Sequence, residues 1–353
     1  MAQIDKPNLH FNTVFYTGNN TSQSVTGVGF QPDWVWLKER NGTEAHNLYD
    51  SVRGIYKRLS SNTTDAEYSS ATQLTSFDSD GFSVGSSDAI NDAGNTMVAW
   101  NWRAGTAFTN DASSTSIGTL DSAGSSNQEA GFSIVSYTSN GSSNQSVAHN
   151  LGGVPEMIIS KNRDSTNASY NYWTVYHHSL ATANDKKLKL NTSDAASTTN
   201  EWGDTDPTST VYSIHTSGDG TTNVGTNKMI SYCFRSIKGY SEFGSYIGNG
   251  NADGPFFFCG FRPAFVMIKQ ATDASTPWFI FDTKRNPGNK ADLKINPNSS
   301  DAESAANEID MLSNGFKVRT SGSYTNASGN SVIYMAFAEN PFVSSSGVPA
   351  TAR

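Results

Sequence analysis

The stretch Gly29-Phe30-Gln31-Pro32-Asp33-Trp34-Val35-Trp36-Leu37-Lys38 decides the fold, because the chain uses it three times. It returns as GGVPEMIISK, from Gly152 to Lys161, and as GFRPAFVMIK, from Gly260 to Lys269. Each version has a Gly and a Pro followed by an apolar run that ends in Lys. Proline fixes φ and cannot donate to a sheet ladder, so it suits the start of a strand. The aromatic and β-branched residues behind it predict a strand buried on at least one face.

Other marks repeat with this phrase. Upstream stand Tyr16-Thr17-Gly18-Asn19, Tyr137-Thr138-Ser139-Asn140 and Tyr246-Ile247-Gly248-Asn249. Downstream comes an aromatic strand at Leu48-Tyr49-Asp50, Trp173 to Tyr176 and Trp278 to Asp282. A short strand then runs into an Asn-led loop: Leu59-Ser60-Ser61-Asn62, Leu188-Lys189-Leu190-Asn191 and Leu293-Lys294-Ile295-Asn296. An Asp-Ala pair follows each, at Asp65, Asp194 and Asp301. A hairpin closes the first and third units through Asp80-Gly81 and Asn314-Gly315, dipeptides suited to positive φ. The second unit lacks that turn, carries extra loops at 162–170 and 198–208, and is expected to superpose worst.

Pro32, Pro155 and Pro263 recur about every 110 residues, too long for a solenoid and right for a small domain. Many short strands, turn residues between them and no sustained helical periodicity predict an all-β chain of three tandem related antiparallel β-sandwich domains. The expected divisions are an arm at 1–10, repeats at 11–104, 131–238 and 239–342, a Ser/Thr/Gly-rich linker at 105–130 and a second arm at 343–353. The arms are polar and contain Pro7 and Pro349, so their order is expected to come from a partner. The three units are expected to form a rigid rod or a compact cluster.

Composition narrows the function classes. The net charge is −8 and the basic residues are scattered, which disfavours a nucleic-acid role. The N-terminal stretch has no apolar signal core and no run is long enough to span a membrane. Cys233 and Cys259 both lie in apolar runs, so free buried thiols are expected. No carboxylate pair, nucleophile elbow or metal-ligand spacing selects a catalytic site, and no cofactor is expected. His177-His178 are strand neighbours and point to opposite faces, which does not suit one metal. Asp78, Asp80, Asp88 and Asp92 match no EF-hand spacing, and turn chemistry explains them without metal. Trp34, Trp36, Trp100 and Trp102 sit two apart and read as core. Tyr170, Tyr172 and Trp173, beside a polar loop, are the candidates for contact with a sugar ring.

Taken together, GFQPDWVWLK, Leu48-Tyr49-Asp50-Ser51-Val52-Arg53-Gly54, Asp80-Gly81-Phe82, Val98-Ala99-Trp100-Asn101-Trp102, Phe243 to Gly250 and Ala336 to Phe342 resemble a repeat family of unassigned function in tailed bacteriophages of marine and aquatic bacteria. The resemblance runs from about Phe11 to Phe342. It implies a virion structural protein, tail fibre-like or lectin-like, with jelly-roll character, and brings no catalytic residues. The expected function is therefore non-enzymatic: a tail fibre, spike or other receptor-binding component on the particle exterior, made in the host bacterial cytoplasm. The alternative is a decoration, cement or tail-connector protein. Expected partners are other virion proteins, further copies of the chain and host-surface glycan, with no nucleic acid and no membrane insertion.

Overall fold

The strand Trp34–Glu39 follows Pro32 and is buried along its whole length, so it needs cover on both faces. It lies between Thr96–Trp102 and Asn47–Asp50 in a four-stranded antiparallel sheet that Phe11–Thr17 completes. The third repeat builds the same order from Ser241–Ile247, Ser331–Pro341, Phe261–Gln270 and Trp278–Asp282. The second uses Phe132–Thr138, Lys228–Phe234, Met157–Asn162 and Thr174–His177, extended to eight strands. The computed structural model describes residues 1–165, 167, 171–216 and 221–349, and it is all-β with antiparallel pairing between its named strands. Among them helix is confined to short turns.

The registers make the repeats comparable residue by residue. Trp34 pairs with Trp102, Met157 with Phe234, and Phe265 with Phe337. Trp36 pairs with Trp100, Ile159 with Tyr232, and Met267 with Met335. Pro32, Pro155 and Pro263 therefore occupy equivalent positions, two residues before Trp34, Met157 and Phe265. Pro263 sits inside its strand, where a register shift removes the need for its missing N–H. The Asn-led loop of the third repeat is two residues later than its sequence suggests. Ile295 bridges Ile280 as Leu59 bridges Leu48, so Asn298, not Asn296, matches Asn62.

One face of each of these sheets points into a single shared core. Trp34, Trp36, Trp100 and Trp102 meet Phe132, Tyr232, Phe234, Phe265 and Phe337 there, all buried. Trp34 stacks on Tyr232 at 4.3 Å between ring centres, and Phe11 stacks on Phe337 at 5.2 Å. The units are thus a cluster and not a rod. The other face of each sheet has its own core under a smaller outer sheet. In the first and third repeats that outer sheet is closed by the Asp80-Gly81 and Asn314-Gly315 turns. A Cβ on Gly81 would meet Val25 O at 1.9 Å, and one on Gly315 would meet Phe257 O at 1.8 Å. Val211 stands at the matching place in the second repeat, whose outer sheet is the two-stranded pair Gln145–Ala148 and Val211–Ile214.

Two expectations are corrected. The stretch expected as a linker forms strands Thr106–Asn110 and Ser122–Asn127, which extend the eight-stranded sheet. Small polar residues hold a strand once the neighbouring strand supplies a full ladder, as Phe132–Thr138 does here. The N-terminal arm takes its order from its own chain: Ile4 joins the shared core, Ala2 N donates to Val343 O at 3.1 Å, and Gln3 N to Lys238 O at 2.9 Å. Asp5 accepts from Ser345, so the described part of the other arm is tied to the first.

Candidate functional site

Three surfaces join the repeats, and the chemistry inside the molecule gathers on them. Asp50 ends the strand Asn47–Asp50 and is fully buried with Arg53. The Arg53 guanidinium donates to Asp50, to Leu48 O and to Glu67. Glu67 then receives both Nε and Nη2 of Arg163 from the second repeat, at 2.9 and 3.0 Å. Tyr232, also from the second repeat, donates its hydroxyl to Asp50 at 2.7 Å. Burial works against the charge of Arg53, but Asp50, Tyr232 and Glu67 outweigh it and hold it protonated beyond its ordinary range. Burial likewise opposes ionised Glu67, and the Arg163 and Arg53 guanidinium groups overcome it, lowering its pKa.

The junction of the third repeat with the first has the same parts. Asp282 and Arg285 are both fully buried and bonded at 2.6 Å. Arg285 reaches Glu303, and Glu303 receives Nε and Nη2 of Arg40 at 3.1 and 2.9 Å. Trp100 Nε1, at the position of Tyr232, donates to Asp282 at 3.0 Å.

The junction of the second repeat with the third is different. His177 stands at the place of Asp50 and Asp282, and the place of Trp100 and Tyr232 holds Met335, which has no N–H or O–H. His177 Nε2 donates instead to the backbone oxygen of Tyr334 at 3.2 Å. Ala271 and Ala196 replace the Arg–Glu pair, keeping only the backbone bond, Ala196 N to Ala271 O at 2.8 Å. That bond matches Glu67 N to Arg163 O and Glu303 N to Arg40 O, both 2.7 Å.

Two further features recur around the ring. Trp173 Nε1 donates to Ser60 O, Trp278 Nε1 to Lys189 O, and His46 Nε2 to Asn296 O, at 2.8, 3.0 and 3.1 Å. His46 can donate there because its Nδ1 accepts from Trp36 Nε1. The lysines that end the opening phrase are buried, and each ammonium donates to loop oxygens: Lys38 to Gly42 O, Lys161 to Asn171 O and Lys269 to Thr276 Oγ1. Burial lowers them to about 8, 7 and 8, offset for Lys38 mainly by Glu39 and Glu44 of its own repeat and in all three by an aspartate of the neighbouring repeat: Asp301, Asp65 and Asp194. The Asp-Ala pairs read from the sequence are these three aspartates.

The expected sugar-contact residues do not form one surface. Trp173 is fully buried in the shared core and offers no face, a correction that its bond to Ser60 explains. Tyr172 is half-buried, with the Lys189 ammonium 3.8 Å from its ring centre. Tyr170 lies outside the described residues. Asp80 accepts from Gly27 N and Gly29 N, and Asp78 from Ser76 and Ser83, so these carboxylates shape turns. Among the described residues no three His, Cys, Asp or Glu side chains are placed to hold a metal. Cys233 and Cys259 are free and buried.

A family model for a domain of unknown function, DUF7483, matches residues 6–341. The chain belongs to the DUF7483 family. No curated protein and no solved structure matches it. The DUF7483 match covers all three repeats and all three junctions, so the ring is the unit that the family model spans. Sequence reasoning missed the junction residues Arg40, Arg163, Glu67, Glu303 and His177. The one signal for them was the parallel between Asp50-x-x-Arg53 and Asp282-x-x-Arg285. No helix among the described residues is long and apolar enough to cross a membrane.

Proposed function

We propose that this chain is a non-enzymatic structural protein of the exterior of a bacteriophage particle, built as three related sandwiches of jelly-roll or lectin-like type. The observation that carries this reading is where the polar chemistry goes. Asp50, Arg53, Glu67, Asp282, Arg285 and Glu303, which in an enzyme would face a cleft, are consumed in locking one repeat to the next. Such a body is a rigid scaffold that presents three sets of outer loops. The equivalence of the repeats puts the loops after Asn19, Asn140 and Asn249 at the same end of the molecule. This is the display that a tail fibre, spike or other receptor-binding component needs to meet a host-surface glycan more than once.

A second reading, a decoration, cement or tail-connector protein, is favoured by a different observation: the exposed phenylalanines of the third repeat, Phe256 and Phe258. Both readings expect the chain on the outside of the virion. Labelling intact particles with an antibody against the purified chain tests this. Surface labelling is expected, and labelling that appears only after the capsid is opened would overturn it. Soluble chain that blocks adsorption of particles to host cells would select the receptor-binding reading over the architectural one.

A further inference from the structure

The outer sheet of each repeat ends in an edge strand: Gln23–Thr26, Gln145–Ala148 and Phe256–Phe258. Their registers align them. Val25 pairs with Phe82, Val147 with Tyr212 and Phe257 with Phe316, so these three point inward. The positions on either side point outward. They are the exposed Ser24 and Thr26 in the first repeat, and the half-buried Ser146 and small, buried Ala148 in the second. In the third they are Phe256 and Phe258, 42 % and 62 % exposed. A polar edge is how a sheet protects itself from pairing with another chain, and here the third repeat abandons that protection.

The second repeat shows what such an edge accepts. The segment at 118–120 lies along Gln145–Ala148: Leu120 bridges Val147 in parallel, and Thr119 N and Leu120 N both donate to Ser146 O. In the third repeat, Val318 N donates to Pro255 O and Cys259 N to Asn314 O. The bonding side of an antiparallel strand alternates, so Pro255, Phe257 and Cys259 face the sheet. The N–H and C=O groups of Phe256 and Phe258 then face away from it.

We propose that the strand Phe256–Phe258 pairs edge to edge with the same strand of a second copy of this chain, about a two-fold axis through Phe257. The strand is self-complementary. An antiparallel two-fold brings Phe256 opposite Phe258 of the second copy and Phe258 opposite its Phe256, on the outward face. The free backbone groups of both residues then exchange hydrogen bonds, and two four-stranded outer sheets become one of eight strands, an ordinary size. A segment like Gly118-Thr119-Leu120, whose Leu120 lies opposite the inward Val147 and which sets Thr119 outward, would leave the rings in water, so the occupant must carry apolar residues at both outward positions. The chain's own edge does so. Such a pairing is isologous and closes as a dimer. It does not depend on where the protein acts.

Sedimentation velocity of the full chain over a wide concentration range tests the proposal. The expected result is a reversible monomer–dimer equilibrium. The double variant Phe256→Ser with Phe258→Thr, which copies the first repeat, should raise the dimer dissociation constant about tenfold or more, with an unchanged melting temperature at concentrations where both proteins are monomeric. Leu9→Ser, which removes an exposed apolar side chain elsewhere, should leave it unchanged. A wild-type chain that stays monomeric at every concentration would overturn the proposal, as would a double variant that dimerises as tightly as the wild type. Amide exchange supplies a second reading: Phe256 and Phe258 N–H should gain protection with rising concentration, and unchanged exchange there in a dimer would place the contact elsewhere and overturn it too.

Discussion

Two of the three junctions between repeats are held by buried charge, and one is not. Arg163–Glu67 joins the second repeat to the first, and Arg40–Glu303 joins the first to the third, each as a bidentate pair. Between the third and the second the same positions are Ala271 and Ala196, with the backbone bond between them intact. The ring geometry therefore does not need the charges. The changes are also concerted. Where the acceptor is Asp50 or Asp282, the facing residue is Tyr232 or Trp100 and has a donor. Where it becomes His177, the facing residue is Met335 and the histidine turns to a backbone oxygen. A buried carboxylate is tolerated only with its donors in place, so exchanging one member of the set forces the rest.

The largest effect should come from breaking a charged junction at its centre. Arg53→Met leaves Asp50 without the group that neutralises it in a buried site, and leaves Glu67 with Arg163 but without its second guanidinium partner. A loss of about 3–5 kcal/mol is expected, the cost of stranding a buried charge. Urea denaturation would measure it. Met335→Leu, at the uncharged junction, changes shape and little else and should cost under about 1.5 kcal/mol. Equal losses in the two variants would erase the distinction between the junctions.

Acid should act on the histidines before the carboxylates. Burial lowers His177 to about 3 and, with Lys38 nearby, does the same to His46. Both are neutral when folded and take up a proton on unfolding at about pH 6.5. The stability they contribute is complete above that pH and is lost as the pH falls from about 6.5 toward about 3. Melting temperature should therefore begin to drop near pH 6, above the range where Glu67 protonates. His177→Asn should flatten that part of the profile, and an unchanged profile would show that His177 is not the group being titrated. The lysines add a slope of the same sign at high pH. Unfolded lysine binds its proton more tightly than buried Lys161 does, so stability should rise as the pH climbs from about 7 toward 10.

Removing only the neighbour's donor is a smaller injury. Tyr232→Phe takes one hydrogen bond from Asp50, and Arg53 still neutralises it. About 1.5–3 kcal/mol is expected, since the lost bond is to a charged group. Trp100→Phe should cost more than that, because ring area goes as well.

Much of this ring was legible in the chain. The repeated prolines, the Trp pairs as core and the closing turns all stand where the phrases put them. The Tyr and Asn marks are explained by side chains that meet in space. Tyr16, Tyr137 and Tyr246 donate to the backbone just before Asn91, Asn223 and Asn326, and those asparagines accept from the N–H of Asn19, Asn140 and Asn249. The shared core was not legible. A strand apolar on both faces states that it is covered, not by what, and each repeat alone had enough apolar residues to read as a separate sandwich. The strands at 106–110 and 122–127 were hidden by composition, since Ser, Thr and Gly read as linker wherever no apolar alternation argues otherwise. Trp173 misled for a related reason. A polar loop beside it suggested exposure, but its ring covers the loop of the repeat next door.

The smallest expected effect is also the sharpest test of the comparison. Ala196→Glu with Ala271→Arg would write the Glu67–Arg163 pair into the uncharged junction, where the backbone bond already holds the two positions at the same separation. Arg163 and Glu67 are only slightly exposed, and pairs of that kind contribute little net, because desolvation offsets attraction. The double variant should therefore lie within about 1 kcal/mol of the wild type. Each single variant should lie below it, since Ala196→Glu alone puts a carboxylate beside an apolar neighbour. A double-mutant cycle measures the coupling directly. A positive coupling with little net gain would show that the charges select which repeat meets which and do not by themselves hold the ring closed. A coupling of zero would mean that the pair works at its native junctions only because Arg53 and Arg285 stand behind Glu67 and Glu303. The second repeat, with His177 in place of the aspartate, then lacks the support that the pair requires.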